Sequence, residues 1–286
     1  MITELTASEF HKIKHLTDAY RNIEVKAVAS GMNPGRVYVD DTANPEAALI
    51  WVKGQSGYQL IGNAQSEVFR SELRMYIENH IYPELAALQI SDVEIGVADH
   101  TWEEVLEHMA GSSELNHDTQ HVFMLKSMDE RIEKKENSKL SSSSGVFSQP
   151  AEGTQVLKID IALMNDRNLH NLSFVTDKIK QFWTNVDAFL QHGVGYVVTR
   201  EEEIVSLCLS AFVEGNTHAI DIETLEGHRK RNYAALAAQA YMSECNEAGL
   251  CPYWDCTPDN TGSIRLAQNA GLSLDFNYQV YWYSIS

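Results

Sequence analysis

Residues 229–234, Arg229-Lys230-Arg231-Asn232-Tyr233-Ala234, set three cations between a strand-like run, Ile220 to Leu225, and an Ala-rich stretch of helical composition. Such a turn binds phosphate. The first amides of a helix have no partner within it, and the helix dipole adds positive character at the same end. Asn232 is the non-glycine residue that best tolerates a left-handed backbone, which aims successive N–H groups at one point. Fixed side-chain charge above free amides suits a pyrophosphate.

Other residues with chemical potential are less well arranged. His117 and His121 have i,i+4 spacing but lack the intervening Glu of a metalloprotease helix, and they read as a surface loop. Cys208, Cys245, Cys251 and Cys256 contain no Cys-x-x-Cys pair. They read as reduced thiols, with a site built from Cys245, Cys251 and Cys256 as the weaker alternative, so no metal is expected. Glu201, Glu202 and Glu203 form a charge run at a hairpin, either a solvated turn or the border of an amine-binding cleft. Phe182, Trp183 and Phe189 fall at helical spacing and read as core.

The net charge of −18 repels polyanions, which argues against nucleic acid or an anionic membrane as partner. It steers amines favourably, although acidity also serves solubility alone. The N-terminal stretch has no continuous apolar core, and no run approaches the roughly 20 apolar residues of a spanning helix. A cytoplasmic protein is expected.

The elements that must position the cationic turn follow from periodicity. At 286 residues, two domains are the starting expectation. Residues 131–155 combine charge, a serine run, Gly and Pro, which gives a division into 1–132, a flexible linker over 133–155, and 156–286. In the second part strands are expected over 156–164, 194–199, 204–213 and 218–225, with a helix over 174–191. After the turn, a helix runs to about Glu247 and stops at Gly249, followed by a strand at 252–256, a helix over 260–269 and a strand at 272–284. The order is β-α-β-β-β-α-β-α-β. In the first part, strands are expected at 36–40, 47–52 and 58–62. A helix over 66–89, interrupted near Pro83, precedes a strand at 93–97 and a helix at 101–109.

The turn, its spacing and its position resemble the GNAT acyltransferase superfamily, whose signature is Arg or Gln, two residues, Gly, one residue, then Gly or Ala. Here Asn232 stands in place of the central Gly. A second segment, Asp255-x-x-x-x-Asn260-x-x-Ser263-x-x-x-Ala267-x-x-x-Gly271-Leu272, is similar to the family's closing motif. The resemblance covers about 156–286, and the wording PYWDC followed by NTGSIRLAQNAGL resembles a poorly characterised bacterial group. It implies an α/β (α+β) fold with a mixed, mostly antiparallel sheet flanked by helices. The first part echoes that order without a cationic turn. It reads as a degenerate duplicate or as an unrelated α/β cap shaping the acceptor side.

The resemblance further implies an N-acetyltransferase that moves an acetyl group from acetyl-CoA directly to a small-molecule or peptide amine. Arg229, Lys230, Arg231, Asn232, Tyr233 and Ala234 would cradle the pyrophosphate. Glu223, Thr224 and Leu225 would lie on the splayed strand that aligns pantetheine, with Asn260 and Ser263 flanking its arm. Glu223 or His218 would serve as base, with Asp221 on Glu223's strand face. Many relatives carry a Tyr at the position of Ala267 to protonate the departing thiolate. Tyr233, Tyr253 or Tyr278 could replace it, the thiolate could leave unassisted, or catalysis could be lost. A catalytically weak acyl-CoA sensor or an interaction module is therefore the alternative function. Edge strands in this fold pair in some relatives and not in others, so a homodimer is an open expectation.

Overall fold

Side-chain caps start several helices, with Asn22, Asp160, Asn185 and Asn260 each accepting the amide three residues on. The computed structural model describes residues 1–126 and 152–285. The chain divides into two compact units, one formed by Met1–Gln120 with Asn277–Ser286 and the other by His121–Phe276. These bounds differ from the expected division, because the last residues of the chain join the first unit. Most of the expected linker lies outside the described residues.

The first unit runs β1 (Thr3–Leu5), a 3-10 turn, α1 (Lys14–Asp18), α2 (Ile23–Ala29), β2 (Gly35–Val39), β3 (Ala47–Val52) and β4 (Gly57–Gly62). Helix α3 (Glu67–Tyr76), a π segment (Ile77–Ile81) and α4 (Tyr82–Ala87) follow, then β5 (Asp92–Val97), α5 (Glu103–Ala110) and β6 (Asn116–Met124). Pro83 follows the π segment that joins α3 to α4 in one continuous helical run, where its missing N–H removes a helical bond. Its core gathers Phe69, Leu73, Ile77, Ile81 and Leu85 of the long helical stretch over Leu49, Leu60, Ile95 and Tyr283.

The second unit runs β7 (Thr154–Lys158), α6 (Ile161–Met164), α7 (Leu172–Phe182), α8 (Val186–His192), β8 (Gly195–Arg200), β9 (Glu203–Glu214), β10 (Thr217–Thr224), α9 (Tyr233–Ala248), β11 (Cys251–Cys256) and α10 (Thr261–Asn269). Strand β12 (Ser273–Ser284) ends the chain. The expected strand over 156–164 stops at Lys158, because Asp160 Oδ1 accepts the Leu163 amide and starts α6. The expected helix over 174–191 is two helices. Trp183 leaves helical geometry and Asn185 caps the second one through the Ala188 amide.

The two units have the same succession and pairing sense. In the first, β1·β2, β2·β3 and β3·β4 are antiparallel and β4·β5 parallel. In the second, β7·β8, β8·β9 and β9·β10 are antiparallel and β10·β11 parallel. The closing antiparallel strand is exchanged. Gln279–Ser284 of β12 pairs with β5 in the first unit, and His121–Met124 of β6 pairs with β11 in the second. The stretch around His117 and His121, expected as a loop, is therefore strand; its polar Asn-His-Asp-Thr-Gln run hides the alternation.

Candidate functional site

Strand β10 and helix α9 build the site, and its shape comes from a ladder that stops early. β10 keeps its antiparallel partner β9 from Thr217 to Thr224. Its parallel register with β11 covers only Thr217–Ala219 against Cys251–Tyr253. At that point the β9·β10 register shifts by one residue: Ala219 faces Phe212 and Ile220 faces Ser210, leaving Ala211 as the extra residue. A bulge of this kind bends a strand. Beyond Ala219, the β11 side of β10 has no registered partner, which leaves backbone donors and acceptors for an extended ligand chain.

The cationic turn lies at the end of this open edge. Lys230 and Asn232 both have left-handed backbone, at φ 64° and 68°. Asn232 is the N-cap of α9, and the first helical bond runs from the Leu236 amide to the Asn232 carbonyl, so the amides of residues 233–235 precede it. A cleft of about 850 Å³ opens here. Ile222, Thr224, Arg229, Lys230, Asn232 and Tyr233 line one bank, and Asn260, Ser263 and Arg265 of α10 the other. The Arg229 Nε donates to the Thr224 carbonyl at 3.3 Å, which holds its guanidinium beside the strand end.

Of the residues singled out in the sequence, Thr224, Arg229, Lys230, Asn232, Tyr233, Ala234, Asn260 and Ser263 all line this cleft. Leu225 and Arg231 are not among its lining residues. Arg265 supplies a cation that the motif did not indicate. Asn260 caps α10 by accepting the Ser263 amide at 3.0 Å, and Ser263 Oγ accepts the Trp254 indole N–H at 2.8 Å. These bonds fix the second bank against β11.

The residues of β10 divide between its two faces. Ile222 and Thr224 line the cleft, while Asp221 and Glu223 point the other way, towards α7. There, Lys178 Nζ is 2.7 Å from Glu223 Oε2 and 3.6 Å from Asp221 Oδ2. Burial raises the Asp221 carboxyl above its ordinary pKa, with Lys178 opposing. Burial also works against the Lys178 charge, but Asp221 and Glu223 outweigh it and raise its pKa. Asp221 Oδ2 is buried with no hydrogen-bond partner and makes only the ion-pair contact.

His218 sits apart from this pair. It is 4 % exposed, its Nδ1 is 2.9 Å from Ser210 Oγ, and that hydroxyl also meets Tyr241 Oη at 2.9 Å. Burial lowers its pKa to about 4, so the ring is neutral at neutral pH. Ala267, on the inward face of α10, is fully buried. Of the three tyrosines weighed as substitutes for a residue there, Tyr233 lines the cleft, Tyr253 is buried in β11, and Tyr278 belongs to the first unit.

Among its described residues the first unit has no equivalent cationic turn. Asp40 stands at the start of α3, accepting from Ser66 Oγ at 2.7 Å and from the Glu46 and Ala47 amides. Between β4 and β5 the Gln59 side chain packs against Gly96, where a Cβ would come within 2.4 Å of its amide.

A mixed, mostly antiparallel sheet, one parallel pair that parts beyond its first residues, and a cationic turn opening a helix together define an acyltransferase architecture. A family model described as GNAT acetyltransferase matches residues 14–281, and the chain belongs to that family. The match reaches well into the first unit, beyond the segment whose motifs carried the resemblance. An uncharacterized N-acetyltransferase of Bacillus subtilis is 26 % identical over 286 residues, covering 99 % of this chain and 98 % of that protein. A GCN5-related N-acetyltransferase-like protein from Streptococcus suis has the same fold at a TM-score of 0.63 and 19 % identity, covering 97 % of this chain and 99 % of that one. A structure described as a tandem GNAT protein from the clavulanic acid biosynthesis pathway aligns at a TM-score of 0.61 and 9 % identity, over 99 % and 98 % of the two chains. Its tandem arrangement parallels the repeated succession found here.

Proposed function

We propose that this GNAT-family acetyltransferase takes its acetyl group from acetyl-CoA and delivers it directly to the amine of a small molecule or peptide. The observation that carries the reading is the join of an open β10 edge to a cationic helix start in one cleft. Arg229, Lys230 and the first α9 amides would bind the pyrophosphate, and the β10 backbone from Ile220 to Ile222, beyond its pairing with β11, would align the pantetheine amides. Leu225 would lie beyond that run and Arg231 would add long-range charge, while Asn260 and Ser263 would hold the far bank.

The thioester would lie where β10 and β11 part, so that an acceptor approaches from the α7 face. Asp221 and Glu223 face that side and would take the proton of the incoming ammonium. Asp221 is the better base of the two: burial raises its affinity for a proton, whereas Glu223 is held directly by Lys178. His218 serves the sheet in this reading. The departing thiolate would take its proton from solvent, because Tyr233 opens α9 at the pyrophosphate end of the cleft and its side chain is buried. The acyl-CoA-binding sensor is the second reading, favoured by the buried methyl of Ala267 where many relatives carry a tyrosine.

Among the described residues no helix is long and apolar enough to cross a membrane. The four cysteines are free thiols, which supports a cytoplasmic location.

Calorimetric titration of acetyl-CoA and CoA tests the cofactor reading. Micromolar binding by the wild type, a loss of about 1.5–3 kcal/mol per charged contact in Arg229→Ala/Lys230→Ala, and affinity within about twofold for Arg231→Ala are expected. No heat at high ligand concentration would overturn it.

A further inference from the structure

We propose that Lys178 is itself an acetyl acceptor, so that the protein modifies its own acceptor face. The inference rests on the acetyl-CoA reading above. An acceptor amine must arrive as an ammonium, give its proton to the carboxylates of β10, and attack from the α7 face. A lysine of this chain already meets the first of those requirements. Its Nζ is 2.7 Å from Glu223 and 3.6 Å from Asp221.

The side chain is held there by the fold. Lys178 lies in the middle of α7, whose Val175, Ile179 and Phe182 are buried against the unit. Its stem runs beside Phe182, with Nζ 6.0 Å from the ring centroid, and only 16 % of the side chain is exposed. An ammonium restrained against two carboxylates at the open end of a strand pair has the charge and orientation of a bound amine substrate.

The chemistry balances without any further reagent. A carboxylate, Asp221 or Glu223, takes one proton from the Lys178 ammonium. The freed amine attacks the thioester carbonyl carbon of acetyl-CoA, the C–N bond forms, and the C–S bond breaks with its electron pair leaving on sulfur. The second amine proton passes to solvent as the amide forms, and the thiolate is protonated to CoA. The product is Nε-acetyl-Lys178, which no longer neutralises Asp221 and Glu223. The modified face carries one positive charge fewer and receives a cationic amine with less competition.

The test is incubation of the full chain with acetyl-CoA, followed by digestion and quantitative mass spectrometry of acetyl occupancy at every lysine over time. Direct chemical acetylation favours exposed amines, of which Lys14, 73 % exposed, is the internal standard. The proposal expects Lys178 to be acetylated at least tenfold faster than Lys14. Glu223→Gln/Asp221→Asn should slow Lys178 at least tenfold and leave Lys14 unchanged. Should the double variant fail to fold, added CoA competing in the wild type must slow Lys178 selectively. A rate at Lys178 no greater than at Lys14, or one insensitive to both manipulations, overturns the proposal. If titration still shows acetyl-CoA binding, only this inference falls; if binding is absent, the acetyltransferase reading falls with it.

Discussion

Lys178 Nζ and Glu223 Oε2 stand 2.7 Å apart across the face of β10 that turns away from the cationic cleft. The pair ties α7 to the strand that carries the proposed base. Because Lys178 also faces Asp221 at 3.6 Å, it is the counter-charge that keeps that buried carboxylate ionisable.

Removing the cation should therefore move the pH profile. In Lys178→Met, Asp221 loses the interaction that opposes its burial, so its pKa rises further. A base works only when deprotonated, so the ascending limb of kcat/KM against pH should move to higher pH, with a larger loss at pH 6 than at pH 8.5. Rates of CoA release with an amine that the wild type acetylates would measure this. An unchanged limb would remove Asp221 from the role of base.

His218 gives a stability prediction. Its folded pKa of about 4 lies below the ordinary histidine value of about 6.5, so between those values the unfolded chain binds a proton that the folded protein refuses. Stability contributed by the neutral ring is complete above about pH 6.5 and lost as pH falls towards 4, by at most about 3 kcal/mol. Urea unfolding at pH 7 and pH 5 should show this loss in the wild type and a smaller one in His218→Gln, whose side chain does not titrate.

The residue where the motif departs from its family tests backbone geometry. Asn232 sits at φ 68°, which glycine adopts without cost and a β-branched residue resists. Asn232→Gly should keep CoA affinity within about threefold, while Asn232→Val should destabilise the fold by about 1–2 kcal/mol and weaken CoA binding. Thermal unfolding together with calorimetry separates the two effects. Equal behaviour of the variants would mean that the left-handed turn does not matter to the site.

Arg265 is the cation on the second bank. If the cleft holds a phosphorylated ligand against both banks, Arg265→Ala should weaken CoA at least as much as Arg229→Ala, on the order of tenfold. An effect as small as that of Arg231→Ala would confine the anion to the α9 side.

How much of this was legible depended on how local the signal was. The cationic turn, its left-handed Asn232 and the Gly249 stop all lie within one strand-turn-helix segment, where sequence neighbours are spatial neighbours. Lys178 and Arg265 were not legible, because whether a helix turns a cation towards a strand some 45 or 40 positions away depends on packing. The single helix expected over 174–191 failed because its apolar face is continuous; the break comes from Trp183, whose indole N–H reaches the Ser210 carbonyl at 2.8 Å. Strand β6 stayed hidden behind its polar residues, and with it the exchange of closing strands.

That exchange bears on the order in which the protein can form. The strand that completes the first unit is Gln279–Ser284, roughly 180 positions after β5 along the chain. Two-domain chains commonly finish their N-terminal half while the remainder is still being made. Here the first unit must wait, with β5 exposing an unpaired edge, until Gln279–Ser284 has been made. A nascent chain stalled before Gln279 would carry an intact cationic turn and an unfinished first unit.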